Sequence, residues 1–277
     1  MDTTIGFVGA GNFTEAMISG LRGAGVDGSK IFATTRTRFD RLEHLRATWG
    51  IVPLRDKAGL SAAAKTLILA VKPQDIDQVM TELRPFVTDR HLAITVMAGV
   101  SCAAVESYLN GTPVVRAMPN LPMAVGAATT ALAYGRSAAA EHRVQARSLF
   151  DLVGHTVEVS EDTMDAVTAI SGSGPAYVYL FMEALIEAAI QGGLPPNIAR
   201  EMAIQTVYGA AKLLKDTDGD PIDLRRRVTS PGGTTMAALT VLEARGFKMD
   251  IGDAVKQAIR RARELGAGRK VGASDPK

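Results

Sequence analysis

The segment Gly9-Ala10-Gly11-Asn12-Phe13-Thr14 constrains the fold of this chain more than any other feature. It follows an apolar run, Ile5 to Val8, and precedes a segment whose apolar residues recur at helical spacing. The order is therefore strand, glycine turn and helix. Glycines permit a tight turn and the close approach of a pyrophosphate, and a helix N-terminus offers free N–H groups. Thr14 stands at the third glycine position of the dinucleotide-binding motif, so helix–strand packing must accommodate a side chain there.

Strands and helices alternate from this turn to about residue 160, and every later periodic segment predicts a helix. Apolar runs predict strands at 5–8, 30–34, 51–52, 66–71, 92–97, 114–115, 126–134 and 156–159. The fold class is therefore α/β, a mostly parallel doubly wound sheet, followed by an all-α domain. We predict domains at 1–160 and 161–277, and we expect residues 266–277, which are small and charged, to form a flexible tail.

The balance of charge argues against a nucleic-acid partner. The 277 residues include 31 basic and 29 acidic side chains, a net charge of +2. The one dense basic cluster, Arg225 to Arg227, is short and favours a solvated helix face. A single cysteine, Cys102, excludes an internal disulfide and suits a reducing compartment. We recognise no signal peptide, membrane span or metal site, and we expect a cytoplasmic location.

The tip of the second strand predicts which dinucleotide binds. Residues Thr35, Arg36, Thr37 and Arg38 follow this strand, where an acidic residue would hydrogen-bond the ribose 2′-hydroxyl of NAD. Guanidinium and hydroxyl groups suit a 2′-phosphate instead. We therefore predict NADPH, with NADH possible; the alternative is that the two arginines are solvated loop cations.

Further strand ends are expected on the same edge of the sheet. Lys72 and Pro73 follow the 66–71 strand, where ligands of parallel sheets bind, and Ser101 is a predicted helix N-cap after the 92–97 strand. Two prolines fix the path of the loop at 116–122. That loop is either a wall of the site or a rigid crossover without ligand contact.

A long helix after Pro175 is apolar on much of its circumference and runs to Gly192. The Ser171 to Pro175 segment is expected to interrupt the helical pattern before it. The second half of the chain, about 115 residues, has few other helices that could cover such a helix. We infer a homodimer or higher homo-oligomer in which helices of two chains interleave. The alternative is a helix that is central in its own domain.

A second glycine turn, Thr229 to Thr235, also precedes a helix. Its main-chain N–H groups and four hydroxyls can surround a small carboxylate. The alternative is a tight turn between two helices, for which the two glycines would be sufficient. The hydroxyls favour a binding site.

The positions of the histidines and lysines limit the reactions that this chain could catalyse. None of the histidines, at 44, 91, 142 and 155, follows a predicted strand end on the ligand edge, and no lysine lies between Lys72 and Lys212. A hydroxy-acid dehydrogenase needs such a base beside the hydride acceptor. An imine can arrive already protonated, so its reduction requires orientation and one hydrogen-bonding group. A hydroxyl-rich site fits imine reduction.

Five segments resemble those of pyrroline-5-carboxylate reductases, in order over about residues 4 to 265. They are Phe7 to Asn12, Ala70 to Gln74, Arg116 to Asn120, Asp165 to Tyr177 and Val228 to Thr235. The resemblance implies NADPH- or NADH-dependent reduction of 1-pyrroline-5-carboxylate to L-proline, the last step of proline biosynthesis. It also implies a Rossmann domain followed by a helical dimerisation domain.

The resemblance also implies the roles of individual residues. By position, Thr235 is the catalytic residue whose hydroxyl hydrogen-bonds the substrate nitrogen. The substrate-binding loop comprises Ser230, Gly232, Gly233, Thr234 and Thr235. The cofactor-binding positions are Gly9, Gly11, Asn12, Phe13, Thr35, Arg36, Val71, Lys72, Pro73, Ala98 and Gly99. Two alternatives stay open: a reductase of another cyclic imine, and an NADP-binding regulatory or assembly protein without turnover.

Overall fold

The computed structural model describes residues 4–109 and 111–267. These residues divide into two compact units, one within residues 4–173 and 258–267 and the other of residues 174–257. The predicted division near residue 160 is a different boundary and stays a prediction. The two units are described separately below.

All eight predicted strands form, and within the described residues they build one sheet. The strands are β1 (Ile5–Val8), β2 (Ile31–Thr34), β3 (Val52–Pro53), β4 (Thr66–Leu69), β5 (Leu92–Thr95), β6 (Val114–Met118), β7 (Ala128–Tyr134) and β8 (Gly154–Glu158). Strand β6 is longer than predicted and includes Arg116 to Met118, because these residues pair with β7. The expected loop therefore begins only at Pro119.

Besides part of a later helix, the described part of the first unit has six helices between these strands and a seventh after β8. They are α1 (Asn12–Gly23), α2 (Phe39–Trp49), α3 (Lys57–Ala63), α4 (Ile76–Leu83), α5 (Cys102–Glu106), α6 (Ala140–Asp151) and α7 (Met164–Val167). The predicted N-cap is confirmed, since the Ser101 hydroxyl accepts a hydrogen bond from the Ala104 N–H at 3.1 Å. The short helix α3 was not predicted.

The sheet has the strand order β3-β2-β1-β4-β5-β6-β7-β8, and every pair is parallel except β6 with β7. The chain proceeds outwards from β1 to β3 and then crosses to β4 on the other side of β1. In sheets of this kind the strand order reverses at one point, and ligands bind beyond the carboxyl ends of the strands there. The switch point of this sheet lies between β1 and β4.

Apolar side chains cover both faces of the sheet. On one face α1, α2 and α6 share one apolar cluster with the strands, in which Met17, Leu45 and Phe150 are fully buried. On the other face α3, α4 and α5 contribute Leu60 and Met80, among others. Each such side chain stabilises the fold by about 1.5–3 kcal/mol relative to exposure. This two-sided burial explains why the strands read as continuous apolar runs rather than as alternating ones.

At the expected interruption, the chain after α7 forms an irregular turn followed by a bend at Ser173. Residues Thr168–Gly172 form a π-helical turn, in which the Ser173 N–H donates to the Thr168 carbonyl at 2.9 Å. Because Pro175 has no N–H, it cannot bond the Ser171 carbonyl four residues earlier. The Asn120 side-chain amide donates to that carbonyl instead, at 3.2 Å. The π-helical turn ends before Ser173, and the next helix begins at Gly174.

The second unit is entirely helical. Its elements are α8 (Gly174–Gln191), α9 (Pro196–Thr217), α10 (Pro221–Arg227), α11 (Thr234–Ala244) and the first part of α12 (Phe247–Ala267). Helix α8 packs on α9, but α8 has no buried residue. Large apolar side chains on these helices are exposed, for example Leu180 at 67% and Met202 at 55%. A single copy therefore leaves an extended apolar surface on this unit.

Helix α12 continues to Ala267, two residues beyond the expected start of the tail, and the tail itself stays a prediction. Residues 258–267 belong to the first unit, where Ala262 is buried and Gly266 lies against Gly99. The remainder of the expected tail, 268–277, lies outside the described residues.

Candidate active site

The first glycine turn follows β1 and lies at the switch point of the sheet. Gly9 has φ of +112°, a conformation that L side chains rarely adopt. Its N–H donates to the Thr34 carbonyl of β2, and the Ala70 N–H donates to the Val8 carbonyl, both at 2.9 Å. A Cβ at Gly9 would lie 2.4 Å from the Ala70 carbonyl oxygen. Gly9 therefore allows β1, β2 and β4 to end close together.

The side chain of Thr14 strengthens this turn. Thr14 is fully buried, and its hydroxyl donates to the Gly9 carbonyl at 2.8 Å. The hydroxyl supplies a hydrogen bond to a carbonyl next to the turn, which glycine could not do. The departure at the third motif position is thus compatible with close packing of α1 on β1.

Gly11 has the opposite surroundings. Its φ of −83° is ordinary, and a Cβ at this position would meet no heavy atom within 4 Å. Gly11 is the N-cap of α1, so Asn12 and Phe13 form the first helical positions. First-turn N–H groups have no partner within their own helix. Open space in front of free N–H groups fits a pyrophosphate.

A cleft of about 420 Å³ opens beside this turn. It is lined by predicted cofactor residues from the ends of β1, β2 and β4, namely Gly9, Gly11, Thr35, Arg36, Val71 and Lys72. Arg36 and Lys72 are both exposed at its surface. The structure thus brings together residues that are far apart in sequence, and the donor set of glycine N–H groups, threonine hydroxyls and cations suits a phosphorylated dinucleotide.

Not every predicted cofactor residue lines this cleft. Pro73 and Gly99 line a separate cavity of about 790 Å³ in the same unit, together with Tyr108 of the α5–β6 connection and Leu265 of α12. Ala98 is half-buried next to Gly99. A Cβ at Gly99, whose φ is +70°, would lie 2.7 Å from the Gly266 backbone nitrogen. Gly99 therefore permits close backbone packing against α12.

Sequence reasoning missed several residues that line the cleft, and three of them carry the contacts described here. Lys57 begins α3, and Gln78 and Glu82 lie on α4. The Arg36 guanidinium donates to the Gln78 side-chain oxygen, and the Lys57 ammonium donates to Glu82. Hydrogen bonding to Lys57, reinforced by a bond from Gln78, lowers the pKa of the Glu82 carboxyl. No sequence signal marked the contact of Lys57, because α3 was not predicted, and the contact of Arg36 with Gln78 joins residues 42 positions apart.

The second glycine turn has a defined geometry within the helical unit. Gly232 has φ of +70°, and the Gly233 N–H donates to the Ser230 carbonyl at 3.1 Å. A Cβ at Gly233 would lie 2.4 Å from the Ser230 hydroxyl oxygen. Gly233 is the N-cap of α11, which places Thr234 and the half-buried Thr235 in its first turn. The turn thus groups hydroxyls with N–H groups that are free within the helix.

The described residues hold no group of three or more His, Cys, Asp or Glu side chains that could bind a metal ion. Among the helices of this described part, none combines the length and the apolarity needed to cross a membrane.

The strand order and the switch-point cleft define a Rossmann-type dinucleotide-binding domain, here followed by a helical domain. Two family models match different parts of the chain. Residues 4–99 match "NADP oxidoreductase coenzyme F420-dependent", and residues 161–265 match "Pyrroline-5-carboxylate reductase dimerisation".

Full-length relatives identify the family. A pyrroline-5-carboxylate reductase of Synechocystis is 39% identical over 266 residues, which are 96% of this chain and 99% of the relative. A solved structure of a Coxiella burnetii pyrroline-5-carboxylate reductase has a TM-score of 0.87 at 37% identity and covers 96% of this chain and 99% of its own. The Plasmodium falciparum enzyme, solved with NADP bound, has a TM-score of 0.87 at 26% identity over 96% and 98% of the two chains. The chain therefore belongs to the pyrroline-5-carboxylate reductase family, a family of oxidoreductases.

Proposed function

We propose that this chain reduces 1-pyrroline-5-carboxylate to L-proline with NADPH, or less readily with NADH, as the last step of proline biosynthesis. The observation that carries the proposal is the 39% identity to a pyrroline-5-carboxylate reductase over nearly the whole of both chains. The switch-point cleft and the hydroxyl-rich turn before α11 support it, because the reaction needs a dinucleotide and a small imino acid. The absence of lysine between positions 72 and 212 also favours an imine over a hydroxy acid.

The first unit is proposed to bind the cofactor, which when bound supplies a hydride to the imine carbon. Gly11 leaves open space for the pyrophosphate, Gly9 forms the turn beside it, and the N–H groups of Asn12 and Phe13 bind it. Arg36, exposed at the tip of β2, pairs with the 2′-phosphate, and Thr35 adds a hydroxyl. The remaining proposed contacts are Val71, Lys72 and Pro73 along the ribose, and Ala98 and Gly99 at the nicotinamide.

The turn before α11 is proposed to bind the substrate. Ser230, Gly232, Gly233 and Thr234 surround the carboxylate with hydroxyl and N–H donors. Thr235 hydrogen-bonds the ring nitrogen and so orients the imine for hydride addition. No separate acid is required, because the imine nitrogen can be protonated before it binds.

We further propose that the helical unit mediates homodimerisation, with interleaved helices of two chains and a domain boundary near residue 160. The match to a dimerisation model supports this assembly. So do the exposed apolar side chains of α8 and α9, since a second copy would remove them from water. A reducing, cytoplasmic location fits the single cysteine.

The proposal is tested by following NADPH absorbance with three substrates in turn. We expect rapid oxidation with pyrroline-5-carboxylate and much slower oxidation with a six-membered cyclic imino acid and a β-keto acid. Faster turnover of the six-membered ring would make the chain a reductase of another cyclic imine. NADPH binding without oxidation of any substrate would indicate a regulatory or assembly protein.

A further inference from the structure

Three segments of the first unit converge at the adenosine end of the cleft. Arg36 follows β2, Lys57 begins α3, and Glu82 lies in the last turn of α4. All three also line an adjoining cavity of about 380 Å³. Lys57 therefore forms part of the wall between two depressions that share the predicted 2′-phosphate residue Arg36.

A chain of hydrogen bonds fixes these groups. The Arg36 guanidinium donates to the Gln78 side-chain oxygen, and the Gln78 amide donates to Glu82 at 2.9 Å. The Lys57 ammonium donates to the other carboxylate oxygen of Glu82. The Lys57 side chain is only 15% exposed, whereas that of Glu82 is 43% exposed. The Lys57 ammonium is thus held in the wall of the cleft, and the Glu82 carboxylate is more exposed to water than the ammonium.

The charges around this chain leave a surplus of cations. The cleft is lined by four cationic residues, Arg36, Arg38, Lys57 and Lys72, and by two acidic ones, Asp75 and Glu82. A phosphate monoester carries about −1.5 to −2 charges near neutral pH. Arg36 by itself would leave such a group only partly neutralised, and of the other three cations only Lys57 also lines the adjoining cavity with Arg36. A second cation held a short way along the same hydrogen-bonded chain would complete the neutralisation.

We propose that Lys57 is a second cation for the 2′-phosphate and determines the preference for NADPH, with Glu82 as its internal counter-ion. The inference rests on the proposed function only for the identity of the cofactor. In the absence of the phosphate, Glu82 holds the ammonium in the wall. When the phosphate binds, Lys57 exchanges part of its contact with the hydrated carboxylate for the dianion.

Binding of cofactor fragments tests this role independently of catalysis. The probes are adenosine 2′,5′-bisphosphate and adenosine 5′-monophosphate, with Kd values from calorimetric titration of the intact protein. The variants are Lys57→Met, Glu82→Gln and Lys65→Met, the last an exposed lysine that does not line the cleft. For Lys57→Met we expect the Kd of the bisphosphate to rise about tenfold or more, as for loss of a charge-assisted hydrogen bond, and that of the monophosphate to change less than about twofold.

The other variants complete the test. Glu82→Gln is expected to bind the bisphosphate at least as tightly as the wild type, because the counter-ion no longer competes. Lys65→Met is expected to match the wild type with both probes. Equal weakening of both probes in Lys57→Met would show that the lysine only supports the wall, and unchanged bisphosphate binding would remove its role. Either result leaves turnover of pyrroline-5-carboxylate by the wild type intact, so it is distinguishable from failure of the proposed function.

Discussion

Replacing Gly9 by alanine is expected to destabilise the first unit. The native φ of +112° is a region in which a side chain is strained, and the added Cβ would lie 2.4 Å from the Ala70 carbonyl oxygen. That oxygen belongs to the backbone and cannot rotate away as a side chain would. The turn must therefore deform, and the hydrogen bond from the Ala70 N–H to the Val8 carbonyl is the nearest contact at risk.

The magnitude follows from these two effects. A non-glycine residue in a strained backbone region costs about 1–3 kcal/mol. Loss of the backbone hydrogen bond adds about 0.5–1.5 kcal/mol. We therefore expect a destabilisation of about 2–4 kcal/mol, a large fraction of the total of about 5–15 kcal/mol that domains typically have. For a denaturant dependence of roughly 2 kcal/mol per molar urea, the unfolding midpoint would fall by about 1 M or more.

Gly11→Ala is the matched control, since it introduces the same methyl group two residues away. Its backbone is ordinary and the methyl group enters open space, so the urea midpoint should stay close to that of the wild type. The methyl group would, however, occupy the path of the pyrophosphate. We expect the NADPH Kd to rise about tenfold, which corresponds to 1.4 kcal/mol.

The assay is urea unfolding followed by circular dichroism, together with NADPH titration of both folded variants. Gly9→Ala should lose stability, and Gly11→Ala should lose cofactor affinity. An unchanged midpoint in Gly9→Ala, or an equal loss of stability in the two variants, would refute the different roles assigned to the two glycines.

Three further predictions concern other parts of the chain. Glu161→Leu should lower the free energy of unfolding in urea by about 3 kcal/mol, because it removes the ion-pair partner, 3.6 Å away, of the buried Arg116 guanidinium. Arg116→Met should lower it less, since the Glu161 that is left unpaired is 31% exposed, and the reverse order would contradict this reasoning. Burial raises the pKa of the Cys102 thiol from 9.0 to about 12, so the stability that the thiol contributes is present below about pH 9 and is lost as the pH rises towards 12. The difference in unfolding free energy between the wild type and Cys102→Ala should therefore shrink from pH 9 towards pH 12, and a constant difference would contradict this prediction. Leu180→Arg should reduce the molar mass measured by light scattering towards that of a monomer, whereas Val144→Arg, at a similarly exposed position in α6, should leave it unchanged. Equal molar masses for the two variants would count against a dimer formed through α8.

Local patterns predicted those parts of the fold that depend on neighbouring residues. The unbroken apolar runs located the strands because both faces of the sheet are covered, and Ser101 was recognisable as a cap from its own sequence context. Asp220 is a second cap of this local kind, since its carboxylate accepts hydrogen bonds from the backbone N–H groups of Ile222 and Asp223 at the start of α10. Such features need no knowledge of distant residues.

Features that depend on distant residues were not predictable in this way. The contacts of Lys57 with Glu82 and of Arg36 with Gln78 join residues 25 and 42 positions apart, and they exist only because α3 and α4 pack on one face of the sheet. The π-helical turn likewise depends on Asn120, which is 51 residues from the carbonyl that it satisfies. The candidate site was therefore predicted at its strand ends and glycine turns, but the residues contributed by packed helices were missed.

The assignment of the reaction to the turn before α11 is tested most directly by the rate of L-proline formation in Thr235→Val. Valine preserves the shape of the half-buried side chain in the first turn of α11 and removes only the hydroxyl. Loss of one positioned hydrogen-bonding group typically lowers kcat by about 100-fold or more. We predict such a loss with pyrroline-5-carboxylate and NADPH, while the Kd of NADPH stays within about twofold of the wild-type value. L-proline formation at the wild-type rate would contradict the role of Thr235 and the proposed substrate site.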